Sequence, residues 1–350
     1  MPPRPSFFLH LHPPAIPARE ARFRYTFGLG GISLLLFLLL VITGALELFY
    51  YVPSQENANA SVQLITYLVP YGWLVRGLHY WAAQAMLVVV ALHMLRVVFT
   101  GGYKPPRALN WLFGLSLLVF TLLLDFTGLV LRWDIDIAWA LTVGTNLLKS
   151  IPLAGTTLYQ MAVGSAAIGA GTVVRFFGWH IFGLALPAFF MMVWHLFRVR
   201  RDGGISRRLP TTVNAPPQSA SHSVQNISRQ ELVYREVQAA VASTVVLVLL
   251  TVFFPPSVGA PADFANLPPE ATAPWFFLWV QQLLQFGSPF LMGILVPAML
   301  LTLLAVIPYL VDRRAEGVGE WFNRPGRLAQ ALTTAILLFV VALIARGWLR

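Results

Sequence analysis

Seven apolar stretches lie near residues 26–49, 76–99, 110–131, 176–198, 234–254, 288–311 and 327–347. Each is long enough to cross a hydrocarbon core as a helix, which takes ~20 residues. Lipid offers no partner to a bare backbone amide, so such stretches cross as helices or not at all. The rest of the composition agrees: 57% of the 350 residues are hydrophobic and 11% are charged. This excludes a disordered chain and an ordinary soluble domain. The expected fold is an all-α membrane protein of seven spans. The first stretch is too long for a signal-peptide core and has no small-residue cleavage site behind it, so it reads as an uncleaved helix.

The formal net charge of +10 would suggest nucleic acid in a soluble protein. Here its distribution argues for topology instead. If the spans alternate, 18 of the 24 Lys and Arg residues fall on one side. They include Arg4, Arg19, Arg22 and Arg24, then Arg96, Lys104 and Arg107. Arg198, Arg200, Arg201, Arg207, Arg208, Arg229 and Arg235 follow, with Arg313, Arg314, Arg324 and Arg327. The positive-inside rule then puts the N-terminus in the cytoplasm and the C-terminus outside, with no role for nucleic acid. A stretch rich in Gly, Pro, Ser and Gln over 203–230 reads as a cytoplasmic linker. It separates a four-span part, residues 1–206, from a three-span part, residues 231–350, with 207–230 as the linker proper. There is no cysteine, so disulfides, thiolate metal sites, Cys-bound iron–sulfur clusters and thioether-linked haem are excluded in this chain.

Four histidines lie inside spans, where an ionisable group is costly and defaults to a functional reading. His79 and His93 share the second span, fourteen residues apart, and His180 and His195 share the fourth, fifteen apart. Fourteen helical residues rise ~21 Å and return to within ~40° of the same face; fifteen rise ~22 Å and turn by ~60°. The second and fourth spans run parallel, so His79 should face His180 near the outer surface and His93 should face His195 near the inner one. Paired imidazoles across a gap are the geometry of six-coordinate haem iron. Glycines repeat the spacing: Gly30 and Gly44 on the first span, Gly114 and Gly128 on the third, each fourteen apart. A missing side chain lets something large approach the backbone, here two flat macrocycles each flanked by a glycine from either side helix. Arg76 and Arg96 stand one turn outside His79 and His93 and are suited to anionic propionates.

These residues resemble the cytochrome b family of quinol-oxidising bc and b6f complexes. RGLHYWAAQAMLVVVALHMLRVVFTGGYKPPRALNW is similar to the family's second helix and following loop, especially in the b6 branch, and GSAAIGAGTVVRFFGWHIFGLALPAFFMMVWHLFRVRRDGGIS to its fourth; the spacing of fourteen then fifteen is also similar to the b6 branch. Residues 231–347 resemble the three-helix subunit IV of b6f, and FFPPSVGAPADFANLPP the start of its outer loop. The resemblance implies a four-helix haem-binding bundle followed by three further transmembrane helices. It implies two non-covalent b-type haems, on His79 with His180 and on His93 with His195. It also implies an outer quinol-oxidising pocket, an inner quinone-reducing pocket with Arg200 beside it, and menaquinone or a similar quinone. A Rieske-type iron–sulfur protein or a c-type cytochrome would be the outer partner, with lipids and a homodimeric assembly. A bacterial cytoplasmic membrane fits a fused chain without an organelle-targeting segment.

Three departures from the family matter. Gly28 stands where b6 has the cysteine of its covalent c-type haem, so that haem is absent from this chain. Ala273-Pro274-Trp275-Phe276 matches the PEWY-type motif, with proline in place of the proton-accepting glutamate. Arg132-Trp133-Asp134 replaces the family's Pro-Trp after the third helix. Asp125, one turn before Gly128, and Glu47, one turn after Gly44, are the carboxyls at the right depth to take the proton instead, with Trp275 lining the same pocket. Asp202 is a candidate for inner proton supply. The leading expectation is therefore a dihaem quinol-oxidising subunit. The alternatives are a transmembrane electron conduit with one inner quinone site, and a haem-free scaffold or transporter.

Overall fold

The computed structural model describes residues 15–18, 22–202, 204, 226–267 and 272–349. Eleven principal helices follow one another: α1 (Leu29–Glu47), α2 (Ala58–Tyr67), α3 (Gly72–Phe99), α4 (Ala108–Val130), α5 (Ile135–Lys149), α6 (Gly155–Val163), α7 (Ala170–Arg201), α8 (Arg229–Phe253), α9 (Leu278–Leu283), α10 (Pro289–Ala305) and α11 (Arg327–Trp348). Six of them, α1, α3, α4, α7, α8 and α11, are long and apolar enough to cross a membrane. The protein is a helical membrane protein.

The span expected over 288–311 is the one that differs. Its helix is shorter: Pro289 opens a π-wound start, Pro289–Leu295, Pro297 stands in the first turn of the α-helical part that follows, and Pro308 lies in a second π turn at Ile307–Val311. A proline removes one ladder hydrogen bond and its ring displaces the carbonyl a turn earlier. The long connections expected on the outer side are also structured: α2, the α5–α6 hairpin and α9 lie within them. One β-ribbon adds to the helical expectation. Ala15–Pro17 pairs antiparallel with Asn226–Ser228, bringing the start of the chain against the start of α8. The expected linker over 207–230 lies outside the described residues up to 225, as do Arg4, Arg19, Arg207 and Arg208.

α3 and α8 pack closely. A Cβ on Gly77 of α3 would stand 2.1 Å from Thr251 Cγ2 of α8, so glycine is what lets these helices meet. Toward the other end, Val98, Tyr103, Trp111 and Leu115 form one buried cluster with Leu304, Ile307 and Ala329. Beside it lies a polar knot. Lys104 is fully buried, and its Nζ donates to the Glu316 carbonyl at 2.7 Å and to Asn323 Oδ1 at 3.2 Å. The same Nζ pairs with Asp312 at 2.9 Å, and Tyr103 donates its hydroxyl to that carboxylate at 2.5 Å. Burial, helped by this bond, pushes the Tyr103 phenol above its usual range.

Removing one partner of a buried ion pair strands the other charge, at about 3–5 kcal/mol, whereas removing both together is far cheaper. Lys104→Met should therefore lower the thermal unfolding midpoint in detergent markedly, and adding Asp312→Leu should recover most of the loss.

Candidate functional site

The four intramembrane imidazoles come together in two pairs. His79 of α3 lies in electrostatic range of His180 of α7, and His93 of α3 in range of His195 of α7. Each ring rests on one of the glycines picked out by spacing. A Cβ on Gly44 would stand 3.1 Å from His79 Cε1, and one on Gly128 would stand 3.1 Å from His180 Cε1. At the other pair the distances are 3.4 Å, Gly30 to His93 and Gly114 to His195. The structure thus refines the expectation: the first thing a side chain at these glycines would strike is the imidazole itself.

The spacing of fifteen on α7 has a local cause. Residues Trp179–Ala185 are wound as π-helix, and His180 sits near the start of this segment. A π insertion adds one residue without advancing the helical register by a full step. Fifteen residues on α7 therefore do the work of about fourteen, and its imidazoles keep the same face as those of α3.

His79 and His180 have partners that spacing alone does not reveal. Thr43 Oγ1 lies 2.9 Å from His79 Nδ1, and Thr127 Oγ1 lies 2.9 Å from His180 Nδ1. A faint signal exists in the sequence, since a Thr-Gly dipeptide recurs at 43–44 and 127–128 but not at 29–30 or 113–114. His195 turns toward the main chain of Asn110, but its Nδ1 makes no hydrogen bond of good geometry.

The other candidates fall into place as follows. Glu47, at the end of α1, has a buried Oε1 without a hydrogen-bond partner and lies in electrostatic range of His79 and Arg76. Asp125 is buried on α4. Arg76 donates to the carbonyls of Pro256 at 2.8 Å and Ser257 at 3.0 Å, so it fastens the loop after α8. Arg96 lies with its guanidinium 4.9 Å from the Tyr25 ring centroid and its Nε 3.4 Å from the Tyr25 carbonyl. Arg200 is half-buried in the last turn of α7, two residues from Asp202, which pairs with Arg198 at 2.9 Å.

Trp275 donates its indole N–H to Gln84 Oε1 at 2.6 Å. Its neighbours Phe276 and Phe277 continue through Phe126 to Phe176 as a chain of ring contacts 5.0–6.3 Å between centroids. Proline at 274 therefore sits in an aromatic wall whose polar anchor is an amide on α3. Gly28 has φ +66, in the left-handed region that glycine tolerates. The replacement at 132–134 is also explained. Asp134 is fully buried, caps α5 by accepting from Ile137 N at 3.2 Å, accepts from Gly259 N at 3.3 Å and pairs with Arg132 at 2.8 Å. Asn59 donates to the Gly259 carbonyl at 3.2 Å, and Trp81 to that of Phe254 at 2.9 Å. Four side chains, Arg76, Asn59, Trp81 and Asp134, thus strap residues 254–259 over the His79 end of the bundle.

The donor sets fit a metal that brings its own equatorial ligands. Among the described residues no group of three or more His, Asp or Glu side chains is placed to cage a bare ion. The imidazoles stand in twos, with glycine beside each, which suits axial ligation of a macrocycle. Fold and site together define an integral-membrane protein with paired intramembrane imidazoles. The cytochrome b/b6/petB family matches residues 18–203, more than half of the chain, and the chain belongs to that family. Haem is expected for it. Among solved structures, a chain of a hyperthermophilic respiratory Complex III is similar in fold. Its TM-score is 0.73 and its sequence identity 21%, over 93% of this chain and 89% of that one.

A methyl group at Gly44 or Gly128 has less room than one at Gly30 or Gly114. Gly44→Ala and Gly128→Ala should therefore lower the haem-to-protein absorbance ratio of the purified protein more than Gly30→Ala and Gly114→Ala do.

Proposed function

We propose that the chain is the dihaem cytochrome b subunit of a membrane quinol-oxidising complex, with b-type haems on His79 and His180 and on His93 and His195. The observation that carries this reading is the doubled arrangement of two imidazoles, each backed by a glycine. When bound, the haems supply one-electron chemistry at two depths in the membrane. The chain's own residues hold the imidazoles, exclude water and handle protons. A quinol oxidised at the outer end, the His79 end by the charge bias of the sequence, loses two electrons and two protons. One electron passes to a high-potential outer partner, a Rieske-type protein or a c-type cytochrome, and the other crosses to a quinone at the inner end beside Arg200. Menaquinone or a similar quinone fits, as do a homodimeric complex and surrounding lipid.

Proline at 274 leaves the outer protons to other groups. Glu47 is supported by its unpartnered buried oxygen, and Asp125 by its burial on α4. The aromatic wall anchored by Trp275 and Gln84 also favours a second reading, in which the outer quinol site is lost. The protein then conducts electrons between an outer partner and one inner quinone site.

A reduced-minus-oxidised spectrum with pyridine haemochrome quantitation tests the core of the proposal. Two b-type haems per chain are expected, and a haem-free folded protein would sink it. In the assembled complex, Glu47→Gln or Asp125→Asn should slow quinol oxidation by about 10²-fold or more and change its pH profile, as loss of a positioned proton acceptor does. An unchanged rate and profile in both variants favours the conduit.

A further inference from the structure

We infer that Thr43 and Thr127 are positioning residues that fix the outer imidazoles in their Nδ1–H form and set the reduction potential of the outer site apart from that of the inner one; this rests on the dihaem reading above. Each threonine hydroxyl has a single hydrogen to give. Thr43 Oγ1 donates to the Leu39 carbonyl at 2.6 Å, and Thr127 Oγ1 donates to the Leu123 carbonyl at 2.8 Å. Neither hydroxyl has a second hydrogen to give. Each still lies 2.9 Å from an imidazole Nδ1 and meets it only as an acceptor. The proton of His79 and of His180 is thereby assigned to Nδ1, and the lone pair to Nε2, the nitrogen left to bind a metal.

The two ends of the bundle differ in this respect. The residues before the inner glycines are Leu29 and Phe113, which carry no hydroxyl. His195 turns toward the main chain of Asn110 without a hydrogen bond of good geometry at Nδ1, and no side-chain hydroxyl meets that nitrogen. The outer ligands therefore carry a side-chain hydroxyl support that His195 does not match. Such a support makes the imidazole a more basic ligand and favours the oxidised iron. Removing the hydroxyl should raise the outer potential. The effect should be larger at Thr43, because His180 also meets the main chain of Leu124 and keeps that partner when Thr127 is changed.

The test is a redox titration of the intact protein, poised electrochemically and followed by haem absorbance, on the parent, Thr43→Val, Thr127→Val and Thr43→Ser. Haem content is measured first on each. The expected result for Thr43→Val is a rise of about tenfold in the reduced-to-oxidised ratio of one haem at fixed poise, which is about 59 mV for one electron. The second haem stays in place, Thr127→Val gives a smaller rise, and Thr43→Ser titrates like the parent. Low-temperature electron paramagnetic resonance of the oxidised protein should shift one ferric signal in the valine variants only. Loss of one haem in Thr43→Val with retention in Thr43→Ser also supports the inference. Two haems with both potentials unmoved, equal movement of both, or haem loss in valine and serine variants alike would overturn it and leave the dihaem reading standing. A haem-free parent would overturn both.

Discussion

An imidazole inside a bilayer has two polar nitrogens and little water to meet them. That constraint organises this protein. The intramembrane imidazoles lie on two parallel helices, α3 and α7. They are spaced so that both rings of a helix look the same way, and glycines on α1 and α4 open the space the rings occupy. Where the count of residues departs from the repeat, on α7, the backbone absorbs the extra residue as a π segment. At the His79 end the second nitrogen is met by a threonine hydroxyl that is itself committed to its own helix.

The remaining elements hold this bundle closed. The loop after α8 is strapped across the His79 end by Arg76, Asn59, Trp81, Asp134 and, through Asp134, Arg132. At the opposite end the Lys104–Asp312–Tyr103 knot fastens the loop after α3 to the loop before α11. Both devices place a charged group out of water and satisfy it mainly with backbone carbonyls, carboxylates or backbone amides. Such a group costs least when every one of its polar atoms is met.

Periodicity makes much of this legible in the order of residues alone. Span positions, the pairing of His79 with His180 and of His93 with His195, and the glycine opposite each ring all follow from rise and rotation per residue, which are local properties. The span over 288–311 is less legible because hydropathy counts apolar atoms and is blind to what Pro297 and Pro308 do to the ladder. Arg76 has the position of a propionate partner. Its bonds to Pro256 and Ser257 join residues some 180 positions apart, and nothing local in the sequence encodes such a contact. Asp134 reads as a departure from a family pattern, and only the loop it grips accounts for its burial. The threonines escape notice in the sequence because a hydroxyl one residue before a glycine is common in membrane helices; its meaning appears only once its hydrogen is traced.

The fourteen-residue spacing also has an electrical side. The two imidazole pairs are separated along the helix by ~21 Å of a hydrocarbon core ~30 Å thick. A unit charge crossing the whole core at 100 mV does about 2.3 kcal/mol of work, so one passed between the pairs does about 1.6 kcal/mol. With the His79 end outside, as proposed above, an electron passing from that end to the His93 end would travel toward the negative side of an energised membrane. The spacing of histidines along α3 thus fixes what share of the membrane voltage opposes that transfer.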